Sequence, residues 1–180
     1  MSNDPDLALV ERCRNGDWAA FTELVIRYQR PIYNAAFWIL RKAEDANDIT
    51  QVVFLKVAER LDDYDPRFKF FSWIYRIAVN ESLNLLRRNG REEALDDEID
   101  LPGLDSASPE WIASEAQVSR RIQSALMSMP TNDRMVLTLR HFSECSYQEI
   151  GEILGLDEKT VKSRLFEARH RLRELLKDLR

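Results

Sequence analysis

The chain has 180 residues, of which 44% are hydrophobic and 32% are charged, and its formal net charge is −5 at pH 7. This composition is typical of a globular protein, and no apolar run approaches the ~20 residues of a membrane-spanning helix. The N-terminus is acidic and lacks the apolar core of a signal peptide, so the sequence predicts a cytoplasmic protein without membrane insertion.

The sequence offers little for catalysis or metal binding. Cys13, Cys145, His141 and His170 lack the spacing of a disulfide framework or of a zinc site. There is no glycine-rich phosphate loop and no nucleophile–base set. We therefore expect a protein that is not an enzyme and that uses no cofactor and no metal.

The first part of the chain predicts a series of helices. Asp4-Pro5 reads as a cap followed by a first-turn proline, and Asp17 can cap the second helix. Pro31 is expected to break or bend that second helix, which would leave residues 32–41 as a separate, aromatic-rich segment. The few glycines and prolines of the whole chain favour an all-α protein.

The next predicted helix carries carboxylates near its start. Asp45 and Asp48 fall on one helical face, where negative charge suits the positive end of the helix dipole. Apolar residues at positions 49, 52, 53, 55 and 57 supply the packing face. The apolar positions indicate a structural role, and the carboxylates mark a candidate binding surface.

A turn at residues 64–67 leads into a helix that ends at Gly90 and mixes aromatic with cationic residues. Aromatic rings can stack on unpaired bases while cations follow the backbone, so this mixture is typical of a surface that binds single-stranded nucleic acid. The alternative is that most of these rings are core residues. For Phe70 and Trp73 the sequence leaves both interpretations open.

An acidic stretch separates this part from the C-terminal part. Residues Glu92 to Ser119 hold nine acidic residues and no Lys or Arg. Residues 92–108 have no helical period and contain Pro102 and Gly103, which predicts a flexible acidic linker. We therefore expect two small helical domains, at residues 1–91 and 109–180, whose own charge is net basic once the acidic stretch is set aside.

The C-terminal domain contains a predicted helix-turn-helix. Ser146 and Glu149 can form a capping box, Gly155 suits the left-handed residue that ends a helix, and Asp157 can cap the next helix. The second helix has one continuous apolar stripe, formed by Val161, Leu165, Ala168, Leu172, Leu175 and Leu179. Its opposite side is cationic, which suits the phosphates and guanine edges of a DNA major groove. The alternative is an αα-hairpin with a solvated basic face, and the combined motifs favour DNA binding.

Three blocks of the chain together resemble the extracytoplasmic-function sigma factors of the bacterial sigma-70 family. Asp48-Ile49-Thr50-Gln51, followed by Val53-Phe54, is similar to the family's segment that binds core polymerase. Phe71-x-Trp73-Ile74-Tyr75-Arg76-Ile77-Ala78-x-Asn80 is similar to its promoter-melting segment. Ser146-Tyr147-Gln148-Glu149-Ile150, with Thr160-Val161-Lys162-Ser163-Arg164-Leu165, is similar to its promoter-binding helix-turn-helix. The resemblance covers nearly the whole chain.

The resemblance implies a role for each part. The N-terminal domain would bind the clamp region of core RNA polymerase through Asp45, Asp48, Gln51 and Phe54. It would also capture the melted −10 element of promoter DNA with Arg67, Phe68, Lys69, Trp73, Arg76 and Asn80. The C-terminal domain would read the duplex −35 element with Lys159, Thr160, Lys162, Ser163 and Arg164. The acidic linker would follow the path of the nascent RNA, and an anti-sigma factor is a further partner that the family implies.

The clamp segment departs from the family pattern at two positions. Asn47 and Val52 stand where the family often carries further acids, which should weaken docking on a basic clamp. Thr50 lies between them, and a hypothesis is that its modification restores negative charge. The alternative to this hypothesis is that Thr50 is an ordinary residue of the helix surface.

Two other classes of protein compete with the sigma-factor interpretation. A helix-turn-helix activator or repressor would bind DNA without core polymerase, and half-sites would favour a dimer. A helical adaptor would bind only protein. The basic and aromatic block at residues 67–91 argues against the activator, because proteins that read only duplex DNA need no surface for single strands.

Overall fold

The computed structural model describes residues 4–90 and 121–178, and within these ranges the chain forms helices and no strands. The N-terminal helices are α1 (Leu7–Arg14), α2 (Trp18–Leu40), α3 (Ala43–Arg60) and α4 (Phe70–Arg88), with a short 3-10 turn at Leu61–Asp63. The C-terminal helices are α5 (residues 121–128), α6 (Thr131–His141), α7 (Tyr147–Leu154) and α8 (Glu158–Asp178). The predicted all-α class is confirmed. The predicted linker at residues 92–108 lies outside the described residues.

Pro31 does not interrupt α2, so the predicted break and the separate segment at residues 32–41 are wrong. A proline inside a helix removes one hydrogen bond and costs about 3 kcal/mol. Ile32, Ala35 and Ala36 directly follow Pro31 and are buried. Burial of this face in the core offsets the loss, because tertiary packing overrides local propensity.

Asp4 does not begin the first helix, which starts instead at Leu7. Its side chain is buried, and its Oδ2 accepts a hydrogen bond from the backbone N of Phe70 at 2.6 Å. The same oxygen lies 2.9 Å from the hydroxyl of Tyr64. Asp4 therefore satisfies the first amide of α4, a helix whose own N-cap residue, Lys69, makes no side-chain capping bond.

The N-terminal core is built around α2, which packs against α1, α3 and α4. Phe70 is fully buried there, in edge contact with the ring of Tyr28 at 5.6 Å between centroids. The core interpretation of Phe70 is therefore confirmed. The apolar faces of α3 and α4 complete this core with Ile49, Val53, Val57, Ile74, Ala78 and Val79.

The C-terminal helices form a second layer in which α6 packs on α8 and α7 lies between α4 and α8. Helix α6 begins at Thr131, with Pro130 at the N-cap position and no side-chain cap. The stripe on α8 is buried at Val161, Leu165 and Ala168. Its last predicted member, Leu179, lies outside the described residues.

The two groups of helices are in contact through a buried arginine. Arg134 of α6 donates to the carbonyl oxygens of Trp38 and of Ile39, the latter at 3.1 Å, and to that of Met129 at 2.7 Å. Trp38 and Ile39 belong to the last turn of α2, whose carbonyls have no intrahelical donor. A cation at this end of the helix also complements its dipole.

Burial, with Arg41 nearby, lowers the pKa of Arg134 to about 9, so the guanidinium is still charged at neutral pH.

None of the helices in the described ranges is long and apolar enough to cross a membrane.

Candidate polymerase-binding and nucleic-acid surfaces

The predicted polymerase-binding residues lie along α3 but do not all share one face. Asp48 and Gln51 are exposed, and Asp45 is half-buried in the first turn of the helix. Phe54 is turned toward the protein and packs against the hydrophobic core. Leu55 was predicted to be a packing residue but is instead 63% exposed. It lies one helical turn beyond Gln51 and two turns beyond Asp48.

The hydroxyl of Thr50 donates to the carbonyl oxygen of Ala46 at 2.7 Å and is part-buried. This is an ordinary bond from a helical threonine to the preceding turn.

The loop before α4 is a compact turn, as predicted from Tyr64-Asp65-Pro66-Arg67. The backbone N of Phe68 donates to the carbonyl oxygen of Asp65 at 3.1 Å. The Asp65 carboxylate accepts from the backbone N of Arg67 at 2.9 Å and from its guanidinium at 2.8 Å. Both hydrogen bonds lower the pKa of the Asp65 carboxyl, and the bond from the Arg67 side chain has the larger effect. The turn therefore holds Phe68, which is 48% exposed, at the surface.

An open cavity of about 300 Å³ lies between this turn and the start of α4. Its aromatic wall is formed by Tyr64, Phe68 and Trp73, with the rings of Tyr64 and Trp73 5.6 Å apart. Trp73 is half-buried, so it is both a core neighbour and a wall of the cavity. Arg76 is exposed at the rim, and Asn80 is exposed one turn further along α4.

Ser72 is a residue of this cavity that the sequence does not single out. It lines the cavity, and its buried Oγ has no hydrogen-bond partner among the described residues. A buried hydroxyl without a partner is uncommon in folded proteins. No pattern in the sequence marks it, because a serine inside a helix is unremarkable until its surroundings are known.

The helix-turn-helix is built as predicted. The Ser146 Oγ accepts from the backbone N of Glu149 at 3.2 Å, and Glu149 Oε2 accepts from the backbone N of Ser146 at 2.7 Å. Gly155 ends α7 with φ of +66°, the left-handed region that favours glycine. Asp157 then accepts from the backbone N of Thr160 at 2.8 Å. Each of these bonds is local, which explains why the sequence predicts them.

The second helix of this motif, α8, presents a line of exposed side chains. Lys159, Lys162 and Ser163 are exposed, whereas Thr160 and Arg164 are half-buried. The Thr160 hydroxyl donates to Asp157 at 2.7 Å and therefore serves the helix cap. The Nζ of Lys162 lies 2.7 Å from Oε1 of Glu158, and it also lies above the ring of Tyr147.

Phe166 is a residue of α8 that the sequence analysis missed. It is 73% exposed and lies one turn beyond Lys162 and two turns beyond Lys159 on the same face. A large apolar residue on a cationic helix face could have been noticed from its phase. Val161, Leu165 and Ala168 form the buried stripe, and position 166 falls outside it.

Two families of known proteins match the chain. The family described as Sigma-70 region 2 matches residues 24–92, and the family described as Sigma-70, region 4 matches residues 119–172. The ECF RNA polymerase sigma factor SigW of Bacillus subtilis (strain 168) is 32% identical over 94% of this chain and 96% of its own.

Two solved structures share the fold. CnrH, in complex with the cytosolic domain of CnrY, superposes with a TM-score of 0.74 at 27% identity, over 97% of this chain and 99% of CnrH. The sigma factor RpoE of Bartonella quintana, in complex with the anti-sigma factor NepR, has a TM-score of 0.72 at 23% identity, over 87% of this chain and 96% of that one.

The regions matched define a protein of the sigma-70 class. Within that class, the chain belongs to the ECF RNA polymerase sigma factors. It is therefore an RNA polymerase sigma factor, and the interpretation as an activator or repressor independent of polymerase is not favoured.

Proposed function

We propose that the chain docks on the clamp region of core RNA polymerase through α3 and reads promoter DNA with two surfaces. The loop 65–69 and α4 would bind the melted −10 strand, and the N-terminal half of α8 would read the −35 duplex. The protein would have no catalytic chemistry of its own, would use no cofactor, and would work in the cytoplasm together with the polymerase. The domain boundaries that fit this proposal are 1–91 and 109–180, with the acidic linker at 92–108.

The observation that carries the proposal is the aromatic cavity at the start of α4. A base that leaves the DNA stack needs a pocket with aromatic walls and polar groups for its edge. Phe68 and Trp73 supply the walls, the hydroxyl of Ser72 is a hydrogen-bonding group without a partner among the described residues, and Arg76 is exposed at the rim. Lys69, Arg67 and Asn80 would hold the neighbouring backbone and bases, since cations follow the phosphates of a single strand.

The −35 surface would combine phosphate and base contacts. Lys159 and Lys162 are exposed at the start of α8, where the recognition helix of a helix-turn-helix enters the major groove. Ser163 can bond a phosphate or a base edge, with Thr160 and Arg164 beside it. Phe166 would contact a thymine methyl group, as phenylalanine does in other major-groove readers.

The polymerase surface would be the exposed side of α3. Asp48, Gln51 and half-buried Asp45 would meet a basic clamp, and exposed Leu55 would add apolar area. Phe54 would contribute by holding the helix on the core. The solved relative CnrH is bound to the cytosolic domain of CnrY, and by analogy an anti-sigma factor would be a protein partner of this chain.

The experiment is transcription in vitro with purified core RNA polymerase on fragmented genomic DNA, with and without the protein. New transcripts that start downstream of shared sequence motifs would support the proposal and would define both promoter elements. DNA binding without any association with core would contradict it.

Three variants test the polymerase and −35 parts of the proposal. Asp48→Ala should weaken binding to core polymerase, with exposed Asp62→Ala as its control. Phe166→Ala and Lys162→Ala should each weaken −35 duplex binding by roughly 5- to 100-fold. Lys177→Ala, near the far end of α8, should leave that binding unchanged. If the Phe166→Ala and Lys162→Ala variants bind the −35 duplex as tightly as the unaltered protein, the −35 assignment is wrong.

A further inference from the structure

The loop that precedes α4 is held from both sides of helix α1. At the end of α1, the Nη2 of Arg14 donates to the carbonyl oxygens of Leu61 at 2.9 Å and of Tyr64 at 2.7 Å. Before the start of α1, the buried carboxylate of Asp4 accepts from the backbone N of Phe70 and lies 2.9 Å from the Tyr64 hydroxyl. The first helix and its flanking acid therefore hold the beginning and the end of this loop.

Tyr64 lies at the centre of these contacts. Its hydroxyl is 2.9 Å from Asp4 Oδ2 and 2.7 Å from the carbonyl oxygen of Phe68. Burial, and then the bond to Asp4, raise the pKa of Tyr64, so the hydroxyl keeps its proton at neutral pH. The Tyr64 ring also lies 5.6 Å from that of Phe70 and 5.6 Å from that of Trp73. One side chain thus fixes the backbone at Phe68 and forms part of the cavity wall.

The local bonds of the loop support only its first part. Bonds to Asp65 fix the backbone as far as the amide of Phe68. Beyond that point, Tyr64 holds the carbonyl of Phe68 and Asp4 holds the first amide of α4, since Lys69 at the N-cap makes no side-chain capping bond. A strand that meets a loop already held in place does not have to order it, and this raises affinity.

We propose that Asp4 and Tyr64 are positioning residues of the −10 site, which hold Phe68 and Lys69 in the arrangement that receives the melted strand. This inference rests on the proposed assignment of the loop to the −10 strand, and it adds the segment before α1 to that site. The Asp4 carboxylate is buried, so it acts through the loop rather than by touching DNA.

The sign of the effect distinguishes positioning from simple electrostatics. Asp4 is an acid beside a surface that would bind a polyanion. Removing its charge should tighten DNA binding if Coulomb repulsion were its only influence. Removing its hydrogen bonds should instead weaken binding if the loop depends on them. Asp4→Ala therefore has opposite expected results under the two explanations.

The test uses holoenzyme assembled from core RNA polymerase and the full chain. The probe is a DNA fork that carries the promoter mapped by the transcription experiment, duplex through the −35 element and single-stranded at the −10 element. Each −10 base in turn is replaced by the fluorescent analogue 2-aminopurine, whose emission changes when it leaves the base stack. The measurements are the dissociation constant of the fork and the emission change at saturation.

Two variants remove the contacts in different ways. Tyr64→Phe removes the hydroxyl but keeps the ring that lines the cavity, and Asp4→Ala removes the carboxylate. Each holoenzyme should bind the fork about three- to tenfold more weakly, the effect of one or two groups that must be ordered on binding, and with a smaller emission change. Asp4→Asn keeps an acceptor oxygen and should recover part of the affinity. Glu11→Ala, the same charge change at an exposed position of α1, should behave like the unaltered protein.

Two reference measurements separate positioning from a loss of fold. The affinity of each protein for core polymerase, and of each holoenzyme for a duplex with only the −35 element, should be unchanged, since neither proposed surface includes this loop. If these affinities fall together with the affinity for the fork, the residues serve the fold in general and the positioning role is overturned.

The remaining outcomes distinguish this inference from the proposed function. Unchanged fork binding by both variants, or tighter binding by Asp4→Ala, would overturn the positioning role and leave the −10 site intact. No emission change at any −10 base with the unaltered holoenzyme would overturn the −10 assignment, and the inference with it.

Discussion

Replacing Arg134 with methionine tests the contact between the two groups of helices. The substitution keeps a flexible, unbranched side chain, although a shorter one, and removes the donors to the carbonyls of Trp38, Ile39 and Met129. The carbonyl of Met129 keeps a second donor in Arg41, at 3.2 Å. A buried acceptor without its donor costs about 1–3 kcal/mol, so the two carbonyls of α2 amount to roughly 2–6 kcal/mol. Removing a buried charge returns part of this, because its desolvation is no longer required. We expect a net loss of about 3 kcal/mol in the free energy of unfolding.

The assay is urea denaturation followed by circular dichroism, with thermal unfolding measured in parallel. A loss of about 3 kcal/mol corresponds to a fall in Tm of roughly 6–12 °C for a chain of this size. The stability of Arg134→Lys should lie between that of the unaltered protein and that of Arg134→Met. An ammonium keeps the charge but lacks the planar fork that reaches several carbonyls. Arg30→Met, at an exposed position of α2, is the matched control and should stay within about 0.5 kcal/mol. An Arg134→Met protein as stable as that control would refute the reasoning.

Two further predictions concern the C-terminal helices. A Cβ at position 151 would lie 2.6 Å from the carbonyl oxygen of Leu156. We therefore expect Gly151→Ala to lower the free energy of unfolding by about 1–3 kcal/mol, as measured by urea denaturation. Unchanged stability would show that the turn can shift at little cost. Burial, with Arg169 and Arg140 nearby, lowers the pKa of His141. The folded state thus binds this proton less readily than the unfolded chain, so Tm should fall as the pH drops through about 6.5, and His141→Gln should flatten that decline. An identical pH profile in the two proteins would exclude His141 as the cause.

The parts of the fold that the sequence predicts correctly depend on neighbouring residues. The capping box of Ser146 and Glu149, the left-handed Gly155 and the Asp157 cap are all complete within a few positions of the chain. The turn before α4 is equally local. Their chemistry does not depend on what packs against them, and for this reason the helix-turn-helix could be predicted in detail.

The expectations that failed, and the contacts that were missed, depend on distant residues. Pro31 stays within a helix because the residues around it are buried in the core. Asp4 accepts a hydrogen bond from the first amide of a helix that begins 66 residues later. The Lys69–Glu149 pair joins two motifs that the sequence presents as independent. One clue was available: Arg134 lies in the buried phase of α6, next to Met135, Val136 and Leu137. A cation in such a position predicts a buried set of acceptors, although not where they come from.

The assigned surfaces were predictable to different degrees. The resemblance supplied most of the candidate residues, but it did not distinguish Phe54, which packs on the core, from exposed Leu55 on the same helix. It also gave no sign of Ser72 or Phe166. Pocket shape is a property of the folded chain, so Ser72 could be found only once the helices were in place. Phe166, by contrast, falls outside the apolar stripe of α8 and could have been noticed from its phase.

The bond between Asp4 and the first amide of α4 has a practical consequence for how the protein is made and handled. During synthesis Asp4 leaves the ribosome 60 residues before Tyr64 and 66 residues before Phe70, so this anchor forms only after α1, α2 and α3 have been translated. An affinity tag fused directly before Asp4 would lie beside the loop proposed to capture DNA. A tag at the other end, or a long spacer before Asp4, is therefore the better choice for any assay of promoter melting.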